Sequence, residues 1–164
     1  MAPKKIDIEK ISDFIINFCN EQGVSISPLK LQKLLYYIQA WHLVYFNQNP
    51  LFEDVPEAWV NGPVYRTIYD RFKDIGIYDN IPSNKAQNTK EIIEGLDLTT
   101  EQKEFLDSVL QHYAFMTHDK LVYLTHAEKP WNEARRGLSN FEYSNKDITH
   151  NLMYSYYSEL SAKK

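Results

Sequence analysis

Residues 29–45 leave this chain few choices. Projected at 3.6 residues per turn, Leu31, Leu34, Leu35, Ile38 and His42 form one stripe and Tyr37, Trp41 and Val44 a second, while Leu29, Tyr36, Ala40 and Leu43 occupy much of the rest. A helix apolar around so much of its circumference has little face left for water, so it belongs in the middle of a bundle. Its polar side chains, Lys30, Gln32, Lys33 and Gln39, must then leave at the edges or find partners inside. Ser27 followed by Pro28 marks where the helix starts: the serine oxygen accepts an orphan amide, and the proline sits where no amide donor is needed.

The remaining periodicities supply helices to surround it. Ile8, Ile11, Ile15 and Phe18 recur at helical spacing over residues 7–21, with Gly23 to end the segment. Glu57 to Val60 reads as a short extended piece, after which Asn61, Gly62 and Pro63 form a turn, with Pro63 opening a third helix. That helix sets Tyr65, Ile68, Tyr69, Phe72 and Ile75 on one arc, opposite Arg66, Asp70, Arg71, Lys73 and Asp74. Residues 77–98 have the composition of an irregular excursion, in which 89–93 forms either a strand or a helical turn. Further helices are expected from about Thr100 with Phe105, Leu106, Val109, Leu110 and Tyr113 inward, after Thr117, over Trp131 to Arg136, and from Ser144 with a stripe of Ile148, Leu152, Tyr156 and Leu160. The expected fold is therefore mostly α: a compact multi-helix bundle around the central helix, with short extended or hairpin elements near 57–60 and 89–93. Residues 1–164 read as one domain, with 1–6 and 161–164 as flexible ends.

Composition narrows the function. A chain of 164 residues, 43% hydrophobic and 14% aromatic, fills a core without disulfide staples, and its single cysteine, Cys19, reads as a reduced core residue. No apolar run approaches the roughly 20 residues needed to span a bilayer, so the expected compartment is the cytoplasm. A net charge of −4 with mixed signs makes nucleic acid an unlikely partner, leaving only a local surface of Lys30, Lys33, Arg66 and Arg71 to be tested. His112, His118, His126 and His150 are scattered, and neither metal-ligand spacing nor a phosphate-cradling glycine loop is present. No catalytic residue, metal or cofactor is expected.

Three blocks carry a resemblance. They are Lys30-Leu31-Gln32-Lys33-Leu34-Leu35-Tyr36-Tyr37 with Ala40-Trp41-His42-Leu43, then Glu57-Ala58-Trp59 with Gly62-Pro63-Val64-Tyr65, and last Leu124-Thr125-His126-Ala127-Glu128-Lys129-Pro130-Trp131. In that order and at those intervals, across about residues 8–157, they resemble the SocA-like antitoxin domain, or Panacea domain, of bacterial and phage toxin–antitoxin proteins. The resemblance implies a mostly helical domain that neutralises a cognate toxin by direct stoichiometric binding, the toxin being encoded by an adjacent gene. It also leaves open a proteolytic adaptor that delivers a toxin to a protease, a DNA-binding transcriptional regulator, and an enzyme reversing the toxin's modification. Within the blocks Leu31, Leu34, Leu35, Tyr37, Trp41, Trp59, Gly62, Pro63, His126, Pro130 and Trp131 read as structural, with His126 fixing the turn before Trp131 through a backbone or Glu128 hydrogen bond.

The expected contact surface rests on physical grounds instead. The charged side of the third helix, Arg66, Asp70 and Arg71, supplies a polar rim, and an exposed tyrosine of the last helix, Tyr154 or Tyr157, supplies desolvated area. A surface built from residues 77–98, including Asn84 and Lys90, is the competing choice.

Overall fold

The computed structural model describes residues 3–83 and 87–163, so Asn84 lies outside the described residues. The chain folds as α1 (Ile8–Glu21), α2 (Pro28–Tyr45), β1 (Glu57–Trp59), β2 (Gly62–Val64), α3 (Arg66–Phe72), α4 (Thr89–Gly95), α5 (Thr100–Tyr113), α6 (His118–Ala127), α7 (Lys129–Ala134) and α8 (His150–Ala162). It is a mostly helical bundle with one small antiparallel hairpin. Helix α2 is its axis: every residue from 29 to 43 is buried, and α1, α3, α5, α6, α8 and β2 all pack against it. The Ser27 side chain accepts the Lys30 amide and Pro28 takes the first turn, as the sequence requires.

The polar residues of α2 find their partners inside. Gln32 closes a two-bond clamp on Tyr65, donating to its carbonyl at 3.1 Å and accepting its amide at 2.7 Å. Gln39 does the same for the chain after α2, accepting the Leu51 amide at 2.7 Å and donating to the Phe52 carbonyl at 2.6 Å. Lys30 donates to the Ser25 carbonyl and fully buried Lys33 to the Pro63 carbonyl, each at 3.3 Å. His42 donates from Nδ1 to the Asn49 carbonyl, so its Nε2 is the acceptor for Gln102 of α5. Burial pushes the His42 imidazole down to about 4, which keeps it neutral in this role. These bonds tie the chain just before and just after the helix, the hairpin end at Pro63 and Tyr65, and α5 to one helix.

Several boundaries differ from the sequence expectation. Pro63 does not open a helix; it lies in β2 opposite Ala58, and α3 begins only at Arg66. The register explains the tolerance. Ala58 turns its backbone groups away from β2, its amide donating to Lys146 and its carbonyl accepting from Arg135, so the ladder asks no donor of Pro63. Residues 89–93 are helical, within α4, because the Asn88 side chain accepts the Glu91 amide and starts a turn there. The last helix starts at His150 rather than Ser144: the preceding residues run extended beside the hairpin, with the Ile148 amide donating to Pro56, and the Thr149 side chain caps the helix. Its buried face is Met153 and Tyr157, while Leu152, Tyr156 and Leu160 are only partly covered. The Ile6 amide donates to the Leu51 carbonyl, and α8 continues through Ser161 and Ala162.

Candidate partner-binding surfaces

The three blocks named above converge into one buried hub. Lys33 Nζ meets the Pro63 carbonyl, Tyr37 donates its hydroxyl to Glu128, and Trp131 Nε1 donates to the Trp59 carbonyl at 2.7 Å. Tyr157 adds a second hydroxyl donor to Glu128 at 2.9 Å, and its ring meets Tyr36 and Tyr37 edge-on. Burial raises the Glu128 carboxyl, and the two tyrosine hydroxyls oppose that by favouring the carboxylate. Gly62 has φ of +113°, and a Cβ there would stand 2.6 Å from Lys33 Cε, so only glycine lets the hairpin close over the lysine. Among the described residues no carboxylate pairs with Lys33; burial pushes its ammonium down to about 7. The hub is interior machinery that sets the fold.

Two expectations fall here. Tyr157 is fully buried, so it is withdrawn as a contact residue: the hydroxyl bond to Glu128 draws the ring inward. Of the two partners expected for His126, Glu128 is not bonded, and the backbone group that meets the ring is that of Val60 on the hairpin rather than one of the turn. The ring lies flat on Trp131 with centroids 4.0 Å apart, its buried Nε2 has no partner, and Asn132 holds the turn by donating to the His126 and Glu128 carbonyls at 2.6 and 2.9 Å. The sequence reading also missed Arg135, a buried guanidinium bonded to the carbonyls of Ala58, Ser139 and Glu142. Its exposed twin, Arg136, offered no contrast in the sequence to single it out.

The outer face of α3 is a different environment. Arg66 forms a fork with the Glu57 carboxylate at 3.0 and 3.2 Å and stands 5.2 Å over the Trp59 ring. The guanidinium holds the Glu57 carboxyl below its usual range. Arg71 reaches back to α1, where it pairs with Asp13 and donates to the Glu9 carbonyl. Asp70 lies exposed between them. The aromatic residues beside this rim are Trp59, Tyr69 and Tyr143 rather than Tyr154, which sits half-buried on α8. Tyr69 was expected inward; it is 41% exposed and tilts against Trp59, centroids 4.8 Å apart. Next to it runs an apolar cavity of about 250 Å³ between α3, the hairpin and the start of α2, lined by Leu29, Trp59, Val64, Ile68, Phe72 and Ile77 among others. Its rim continues into exposed Ile77 and Tyr143. Lys90, on the competing surface, is exposed on α4.

The basic surface considered for nucleic acid does not form. Lys33 is fully buried, Lys30 turns its amine to a backbone carbonyl, and Arg66 and Arg71 are each paired with a carboxylate. Cys19 is buried, and burial pushes its thiol up to about 11, the opposite of what a nucleophile needs. Among the described residues no three His, Cys, Asp or Glu side chains gather as a metal site, and no helix is long and apolar enough to cross a membrane.

Comparison with known proteins agrees with the blocks. The family model for the antitoxin SocA-like Panacea domain matches residues 31–132, the stretch that contains nearly the whole hub. The chain is also 30% identical over 142 residues to Antitoxin SocA of Caulobacter vibrioides (strain NA1000 / CB15N), an alignment covering 82% of this chain and 73% of that protein. No solved structure gives a significant match. On both the family model and this relative, the chain belongs to the SocA-like antitoxin family and carries its Panacea domain.

Proposed function

We propose that this protein is an antitoxin that neutralises a cognate growth-inhibiting protein toxin, encoded by an adjacent gene, by forming a stoichiometric complex rather than by catalysis. The observation that carries the reading, beside family membership, is the α3 face. An apolar cavity with exposed aromatic edges, Lys73 in its lining and Arg66 over its Trp59 edge, beside which α3 exposes Asp70 and Arg71, offers the desolvated centre and polar surround of a protein interface. In the hub the Lys33 ammonium is fully buried and the Glu128 carboxylate is held by the Tyr37 and Tyr157 hydroxyls. Arg66 and Arg71 are already held by Glu57 and Asp13, so their positions are set before a partner arrives.

The test is co-purification with the product of the neighbouring gene, followed by Tyr69→Ala and Asp70→Lys. Both side chains are exposed, so each variant should keep the helical circular-dichroism signal of the wild type while binding falls at least tenfold. Wild-type affinity and neutralisation in both variants, with loss at Lys90→Glu instead, would move the contact surface to α4.

A further inference from the structure

At the far end of α2, about 25 Å along the helix axis from the α3 cavity, the last turn of α2 and the outer face of α5 enclose a larger hollow of about 510 Å³. Its floor is aromatic. Trp41 is buried with its indole N–H donated to the Tyr113 hydroxyl at 2.9 Å, and Tyr45, 62% exposed, stacks beside it at 6.0 Å. Phe105 closes the corner, edge-on to Tyr45 at 6.0 Å. The rim is acidic: Glu101 and Glu104 stand on one face of α5, both exposed. Among the described residues neither carboxylate is in an ion pair, and no lysine or arginine lines the hollow. Lys4 reaches the adjoining depression that shares Tyr45 and Glu101, yet makes no ion pair with Glu101.

We propose that this groove binds an arginine-bearing basic segment of a protein partner, the guanidinium lying against the Trp41, Tyr45 and Phe105 rings and meeting Glu101 and Glu104. Ring faces attract a cation, and a guanidinium stacks on them better than an ammonium does. Two carboxylates one turn apart accept its fork of donors, and the aromatic floor covers its apolar stem. The hollow exceeds a single side chain, so neighbouring apolar residues of the same segment fill the remainder. The site stands apart from the α3 face and does not rest on the toxin reading.

The experiment uses the whole chain labelled with ¹⁵N and an amphipathic helical peptide of leucine and arginine, with a leucine–glutamate peptide of the same length as control. The arginine peptide should shift the Trp41 indole N–H resonance and the amides of 101–108 in a saturable manner, and the glutamate peptide should not. Glu101→Lys with Glu104→Lys should weaken the arginine peptide about tenfold, and Tyr45→Ala should weaken it with the surface charges intact, circular dichroism being unchanged in each. The proposal is overturned if both peptides shift the same resonances equally, if the arginine peptide perturbs Trp59 and Tyr69 instead, or if the double charge reversal binds like the wild type. It is equally overturned if the shifts at 101–108 follow protein concentration without peptide, which would assign the groove to a second copy of this chain.

Discussion

The two ends of α2 do opposite things with similar residues. At the N-terminal end, Gln32 and Lys33 are consumed by backbone partners in Tyr65 and Pro63, so the helix itself offers nothing polar to solvent there. The surface that results belongs to its neighbours: an apolar cavity edged by Trp59, Tyr69 and Tyr143, beside which α3 exposes Arg66, Asp70 and Arg71. At the C-terminal end, His42 is likewise held inside by Asn49 and Gln102, but Trp41 and Tyr45 reach the boundary and join α5 in a groove whose charged rim is acidic. The lesson is that the polar residues of a central helix fix which segments lie beside it, while the sign of each exposed surface is set by the short helices those segments become.

This comparison is sharpest at Gly62. Valine there must adopt a φ of +113° and place a methyl-bearing Cβ 2.6 Å from Lys33 Cε, so Gly62→Val should cost about 4 kcal/mol from strain and overpacking together, read by chemical denaturation. Leu35→Ala, which removes a fully buried side chain common to both ends, should cost about 3 kcal/mol. A loss below about 1 kcal/mol at Leu35 would contradict the placing of α2 at the axis.

Gln32→Leu and Gln39→Leu probe the two clamps separately. Each strands one buried amide and one buried carbonyl at about 1 to 3 kcal/mol apiece, so both should destabilise by about 3 kcal/mol, whereas leucine at an unclamped buried position would be tolerated.

Lys33 supplies a pH signature confined to the N-terminal end. Its ammonium titrates at about 7 in the folded protein and at its ordinary 10.5 when unfolded, so between those values the unfolded chain binds more protons. Stability should therefore rise with pH from about 7, approaching 1.4 kcal/mol per pH unit, until Cys19 and the buried tyrosines reverse the trend above about 9. Below pH 7 both states hold the proton and the Lys33 contribution is flat. Denaturation midpoints of wild type and Lys33→Met between pH 7 and 9 should show the slope only in the wild type.

The smallest effects on folding belong to the surfaces. Asp70→Lys and Glu104→Lys should each change stability by less than about 0.5 kcal/mol. They should differ in binding: the first weakening the toxin complex, the second the arginine peptide.

How much of this was legible in the chain follows from which signals are local. The start of α2 was readable because Ser27 and Pro28 carry a cap within two residues, and the central placing followed from its all-round apolar surface. Thr117 was legible for the same reason, since it accepts an amide three residues on, whereas the start expected at about Thr100 is capped by its neighbour Thr99. Pro63 misled because its fixed φ suits a helix entrance as well as a strand, and what decided between them, Lys146 and Arg135 taking the backbone groups of Ala58, lies about 80 residues away. Tyr157 and Tyr154 could not be told apart, because three tyrosines within four positions cover most of a helix circumference and only the half-buried Glu128 selects one of them. For Tyr69 the reverse held: its helical arc pointed inward, but a seven-residue α3 buries just Ile68 and Phe72.

The central claim, neutralisation by binding, is tested most directly by titrating the purified chain into a fixed amount of the toxin we propose the adjacent gene to encode, while recording both complex formation by calorimetry and residual toxin activity. Direct neutralisation predicts that both curves break together at about one equivalent per toxin site. Recovery of activity at a small fraction of an equivalent, or full recovery with no complex detected, would contradict it and point to turnover.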